Sequence, residues 1–265
     1  MRRTALALAL LALPLAVFAQ PAPSPKPAII AVHEEIVPPS MVMRYEALTK
    51  ELLATLAAKN VNDPNIALTT FMTPDFHYVY VSPLKGGLAG FETMFNAWMS
   101  VPDKVGKEKW AEMTARSVGT TSSYNEILAM RRDDLSYMPA IPRLKPEEQV
   151  YVRWQFYYLV PGKESEAEQV AKDYASLFKS KNIADGFTIY MAMNGNDLPL
   201  LVAAITAKSA ADFAMIDEKN TVTLGNDLRA LQARALSITR KFETREGWYR
   251  PDLSYPAPPM KTASK

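Results

Sequence analysis

The chain repeats itself. Val37-Pro38 returns as Val160-Pro161, Lys59-Asn60 returns as Lys181-Asn182, and Asp134-Leu135-Ser136-Tyr137 returns as Asp252-Leu253-Ser254-Tyr255. The three matches keep one order and one displacement of roughly 120 residues, which is the mark of a duplicated unit. Residue periodicity around them predicts the same run of elements twice. In the first half Ile29–Ile36 reads as a strand. A helix then starts at Pro38-Pro39-Ser40, with Met41, Tyr45, Leu48, Leu52 and Leu56 on one stripe. Two strands, 66–72 and 76–82, flank the turn Thr73-Pro74-Asp75. Gly86, Gly87 and Gly90 lead into helical segments carrying Phe91, Met94, Phe95, Trp98, Trp110 and Met113, and 124–131 closes the half as a strand. In the second half the sequence predicts strands over 149–160, 187–193, 198–205 and 237–244. Helices are predicted after Pro161-Gly162, near 210–216 and over 221–235.

Each half is therefore β-α-β-β-α-β, the split βαβ or ferredoxin-like pattern. One such unit covers a single face of its sheet with helices, and the other face needs a partner. The expected architecture is α+β: two tandem ferredoxin-like units, 29–141 and 149–255, packed sheet to sheet as a pseudo-dimeric barrel. This element pattern resembles the dimeric α+β barrel superfamily in its fused, single-chain form. Its NIPSNAP-like and antibiotic-biosynthesis-monooxygenase-like groups are the nearest. The resemblance implies either cofactor-independent oxygenases, which activate electron-rich substrates with a few polar groups, or haem enzymes such as chlorite dismutase. The haem enzymes take an axial histidine from the second unit, and this sequence has no histidine after His77. Haem is accordingly not expected, nor is any other cofactor.

The ends of the chain carry their own signals. Arg2 and Arg3, the apolar run Ala5–Phe18 and Val17-x-Ala19 read as a cleavable export signal over 1–19. The alternative is an uncleaved N-terminal anchor. With cleavage, the expected location is periplasmic or secreted, with no integral membrane segment left. Residues 20–28 form a Pro-rich linker, and 256–265 repeat that composition as a tail expected to be disordered. There is no cysteine, so neither disulfides nor a lipidated cysteine are available. Lys and Arg number 30 against 28 Asp and Glu, and loss of Arg2 and Arg3 brings the two into balance. A neutral protein has no bulk field to gather nucleic acid, and none is expected as a partner. The oligomeric state is not readable from these features.

No strong catalytic motif is present. His33-Glu34-Glu35 begins like a zinc-protease helix, but Val37 stands where the second histidine belongs. A loose metal site from His33, Glu35 and His77 is opposed by strand alternation, and no metal site is expected. Gly86-Gly87-Leu88-Ala89-Gly90 lacks the ending of a phosphate loop, and no Gly-x-Ser-x-Gly elbow occurs. The most suggestive groups are polar and aromatic residues expected on the inner, barrel-facing sheet surfaces: His33, Glu35, Tyr78, Tyr80, Arg153, Gln155 and Tyr157. On that placement His77 faces the helices, and Arg153 is buried between the sheets with Glu35 as its first candidate partner. The leading expectation is an exported, non-catalytic protein, or one holding a small hydrophobic or aromatic ligand between its sheets. The alternatives are a cofactor-independent oxygenase and a structural or envelope-interaction protein.

Overall fold

The computed structural model describes residues 28–195 and 197–256. The expected export signal, nearly all of the Pro-rich linker and nearly all of the C-terminal tail lie outside these residues. In chain order the elements are β1 (Ile29–Ile36), α1 (Val42–Ala58), β2 (Thr69–Met72), β3 (His77–Leu84), α2 (Ala89–Met99), α3 (Val101–Val105), α4 (Lys107–Ser117) and β4 (Ser123–Arg131). They continue with β5 (Tyr151–Leu159), α5 (Glu164–Ser180), β6 (Thr188–Ala192), β7 (Leu200–Ala207), α6 (Ala210–Ser237) and β8 (Thr239–Tyr249). The two helices expected over 210–235 are a single helical element, broken instead at Gly225, whose φ of 55° is left-handed. Residues 217–220, between the two predicted helices, continue the helix. No helix among the described residues is long and apolar enough to cross a membrane.

The eight strands form one closed antiparallel barrel in the order β1-β3-β2-β8-β5-β7-β6-β4. Closure leaves no open sheet edge. Each half of the chain supplies four neighbouring strands, β4-β1-β3-β2 and β8-β5-β7-β6. The seams between halves are short. β2 meets β8 at Phe71–Tyr249 and Met72–Trp248, and β4 meets β6 over Ala129–Arg131. Helices cover the outside, and apolar cores form beneath them. One core packs α5 and α6 around Val170, Leu224 and Leu228. Another packs α1 around Leu56, Ile66 and Val101.

The repeated sequence landmarks have repeated geometry. Asn60 and Asn182 both adopt φ 51°, just past the ends of α1 and α5. The Asn60 and Val61 amides donate to the Ala57 and Leu56 carbonyls, and those of Asn182 and Ile183 to Lys179 and Phe178. These are matching Schellman caps, and asparagine is a residue that tolerates the left-handed position they need. The Asp-Leu-Ser-Tyr segments match as closely. Arg250 forks onto Asp252 and Glu46 of α1, Ser254 accepts the Thr70 amide, and the Tyr255 hydroxyl donates to the Val61 carbonyl. Arg132 forks onto Asp134 and bonds Glu168 of α5, Ser136 accepts the Ile189 amide, and Tyr137 donates to the Ile183 carbonyl. Leu135 and Leu253 are fully buried. Each segment leaves the last strand of its own half and fastens onto the other half, so the short seams are backed by reciprocal clasps.

Candidate active site

Alternation along the strands assigns each side chain to the barrel lumen or to the helix-covered surface. The assignment is the reverse of that expected from sequence. Val32 and Glu34 of β1, Val79 and Val81 of β3, and Trp154, Phe156 and Tyr158 of β5 line the lumen. His33, Glu35, Tyr78, Tyr80, Arg153, Gln155 and Tyr157 stand on the helix side. The lumen takes most of the large apolar side chains, and charged members such as Glu34 are held there by partners, Arg245 and His77. The helix side leaves gaps through which a charged head reaches solvent. Gly247 helps to set the phase of β5, because a Cβ there would lie 2.6 Å from the Trp154 ring.

Arg153 is accordingly not buried between the sheets and does not meet Glu35. Its side chain is 28% exposed, pairs with Glu246 at 2.6 Å and lies over the Phe213 ring at 5.2 Å. Gln155 accepts from the Tyr157 hydroxyl at 3.1 Å, and burial pushes the Tyr157 phenol up to about 12. Tyr78 is fully buried and donates to Glu46, so it supports the Arg250 clasp. His77 is also corrected: it faces the lumen. There its Nδ1 lies 2.8 Å from Glu34, which Arg245 of the other half reaches at 2.6 Å and Asn125 at 3.0 Å. Burial favours the neutral acid of Glu34, but the hydrogen bonds of His77 and Asn125 and the charge of Arg245 outweigh it and hold the carboxyl low.

His33, Glu35 and Tyr80 do converge. They meet at one end of a cavity of about 610 Å³ between the first-half sheet and helices α1, α2 and α4, within the size range of small-molecule sites. His33 Nε2 lies 3.2 Å from Glu35, and Nδ1 lies 3.2 Å from Glu126, its cross-strand neighbour on β4. Glu35 is fixed from behind by a short hydrogen bond from the Tyr45 hydroxyl of α1, which also contacts the Tyr80 hydroxyl. The Tyr124 ring stacks on His33 at 5.7 Å. Burial works against a charge on His33, but the hydrogen bonds and charges of Glu35 and then Glu126 prevail and raise the imidazole above its ordinary 6.5. Burial first, then the neighbouring Tyr80 and Glu35, push the Tyr45 phenol far up, so it stays a donor. The remaining wall is mainly apolar, with Leu48, Leu52, Met94, Trp98, Trp110 and Met113, and is interrupted by hydroxyl and amide groups such as Thr49, Ser82, Thr114 and Asn194. Phe91 and Phe95 line the cavity while remaining partly exposed, which marks where it meets solvent.

Sequence reasoning missed Tyr45, Glu126 and Tyr124. Tyr45 reads as one more member of an apolar helical stripe, and Glu126 acquires its meaning from the β1–β4 register. A histidine held by one anchored carboxylate, with its other nitrogen on the exposed Glu126 at the polar end of a cavity, has the parts of a general base.

The sequence matches no family model and no curated protein. Solved structures do match the fold. An anthrone oxidase-like protein aligns with TM-score 0.55 and 10% identity over 85% of this chain and 92% of its own. A monooxygenase-like protein from Lactobacillus acidophilus aligns with TM-score 0.50 and 4% identity over 84% of this chain and 94% of its own. A chlorite dismutase variant from Candidatus Nitrospira defluvii aligns with TM-score 0.51 and 8% identity over 84% and 92%. The chain thus has the fold of the dimeric α+β barrel superfamily. The neighbours that share this fold carry the names of enzymes, and that finding sets aside the leading expectation of a non-catalytic protein, or of one merely holding a ligand between its sheets.

Haem does not fit the second half, where the resemblance would place it. The second-half cavity between sheet and helices is about 170 Å³, below the usual ~300–1,000 Å³ of ligand sites. No histidine stands in that half.

Proposed function

We propose that this chain is a cofactor-independent oxygenase-type enzyme of the dimeric α+β barrel class. Its active site is the first-half cavity, and its substrate is a flat, electron-rich hydroxyaromatic molecule. The observation that carries the reading is His33 held between Glu35 and Glu126 at the polar end of a cavity walled mainly by aromatic and aliphatic side chains. Glu35, anchored by Tyr45, keeps Nε2 protonated and the ring in place. Nδ1 is the base once Glu126 swings aside. Proton removal from a substrate hydroxyl leaves an electron-rich anion, and that anion reduces dioxygen directly. For a substrate that passes through such an anion, a CH₂ carbon and one O₂ give a carbonyl and one water. The apolar wall excludes water from the anion and stacks its ring.

We also propose that residues 29–141 and 149–255 are tandem ferredoxin-like units. The matched caps, the matched clasps and the two four-strand sets support this. In this reading the second unit, with its small cavity, serves as scaffold for the first. The export signal over 1–19 makes the enzyme periplasmic or secreted.

Oxygen uptake with a panel of anthrone-like and other hydroxyaromatic compounds tests the activity. His33→Gln should lower the rate by roughly 10²–10⁴-fold, the range for loss of a general base. Undiminished uptake in that variant, or no uptake with any member of the panel, overturns the reading.

A further inference from the structure

The polar end of the first-half cavity is acidic and carries no basic side chain except the imidazole of His33. Glu35 and Glu126 both face the cavity, and no lysine or arginine lines it among the described residues. Glu35 is committed, since it accepts from Tyr45 and holds His33. Glu126 is not. Its side chain is 59% exposed, and its one hydrogen-bond partner among the described residues is His33, at 3.2 Å. The rings of Tyr45, Tyr80, Trp98 and Trp110 also belong to the wall. A cation entering this space gains a charge-assisted hydrogen bond from a carboxylate that otherwise holds only the His33 imidazole, and attraction from aromatic faces. A carboxylate entering it meets two like charges and no guanidinium or ammonium partner.

We propose that the substrate carries an amine as its cationic form, and that Glu126 is the residue that selects it. This rests on the cavity being the active site, and it adds the charge of the molecule that enters. It also ties binding to the chemistry. An ammonium group draws Glu126 away from His33 Nδ1, and the nearby positive charge favours the neutral imidazole. Nδ1 is then free to accept the proton of the substrate hydroxyl: the O–H bond breaks, the N–H bond forms, and the negative charge stays on oxygen. An amine-free analogue leaves Glu126 on His33 for more of the time, so it should turn over more slowly than its amine counterpart without being inert.

Isothermal titration of the full chain with three ligands of one shape, 2-naphthylmethylamine, 2-naphthylmethanol and 2-naphthoate, tests this without any turnover. The amine should bind most tightly, by ~tenfold or more over the alcohol, and the naphthoate most weakly. Glu126→Gln should remove most of the amine's advantage and leave the alcohol's affinity unchanged. Glu246→Gln, a remote carboxylate paired with Arg153, should change neither. Added salt should shrink the amine's advantage in the wild type. Equal binding of naphthoate and amine, no binding of any of the three, or a Glu126→Gln variant that keeps the amine preference overturns the proposal. Because binding is read apart from oxygen uptake, an enzyme that consumes oxygen with a neutral or anionic substrate sinks the amine selection alone. Glu126 is exposed enough that its variant should melt like the wild type, and a melting curve checks this.

Discussion

At the scale of single residues, the molecule turns on what each carboxylate has been given to do. Glu35 is pinned by Tyr45 and fixes His33. Glu34, its neighbour in sequence, points to the other side of the sheet and is consumed by His77, Asn125 and Arg245. The sequence Glu34-Glu35 presents two identical side chains, and only alternation separates them. His33 supplies a pH prediction. Its folded pKa is raised above 6.5. The charged ring's contribution to stability is therefore fully present below 6.5 and is lost as pH rises through the folded value. Activity should run the opposite way, since the base must be neutral: the rate rises with pH along a limb centred above 6.5. Glu35→Gln removes the largest cause of the rise and should move that limb to lower pH. A pH–rate profile, together with an NMR titration in which just two histidines contribute, checks both the direction and the assignment.

At the scale of elements, the clasps do work that strand pairing alone does not. β2–β8 is a short seam, and Arg250 to Tyr255 reinforces it through Glu46, Thr70 and Val61. Arg132 to Tyr137 does the same for β4–β6 through Glu168, Ile189 and Ile183. Ser254→Ala leaves the buried Thr70 amide without its acceptor, and Ser136→Ala leaves the Ile189 amide without its own. Each should cost about 1–3 kcal/mol in denaturant melts, the range for a buried donor left unpaired. The two costs should be similar if the clasps are equivalent. A cost near zero at either serine would remove the clasp from the account of stability. Asp-Leu-Ser-Tyr was legible in the sequence as a repeat because its residues must make the same contacts twice. Its purpose was not legible, because the groups it bonds lie in the other half of the chain.

At the scale of the whole molecule, Glu34 and Arg245 join the halves across the lumen, with Glu34 only 12% exposed. Glu34→Gln alone removes the nearest carboxylate from Arg245 and His77, leaves them only the more distant Asp75, and should destabilise by roughly 1–3 kcal/mol. The Glu34→Gln/Arg245→Met double variant should cost less than the sum of its single changes. Since the Glu34 pKa is lowered from 4.5, its contribution stands above pH 4.5 and is lost as pH falls through the folded value. Wild type and Glu34→Gln should therefore converge in stability in acid, and parallel acid melts measure this. The sequence by itself determined what local physics can encode: strand and helix periods, the asparagine caps, the paired landmarks and hence the α+β barrel class. It also singled out His33, Glu35 and Tyr80. The tertiary structure alone decided which face of each strand is the inside. Alternation gives a period but not a phase, and in a barrel covered by helices both faces bury apolar side chains. The phase is set by packing between distant segments, such as Trp154 against Gly247, and by the register that puts Glu126 beside His33. That choice moved the polar residues out of the lumen, separated Arg153 from Glu35, and assembled the site beneath the first-half helices.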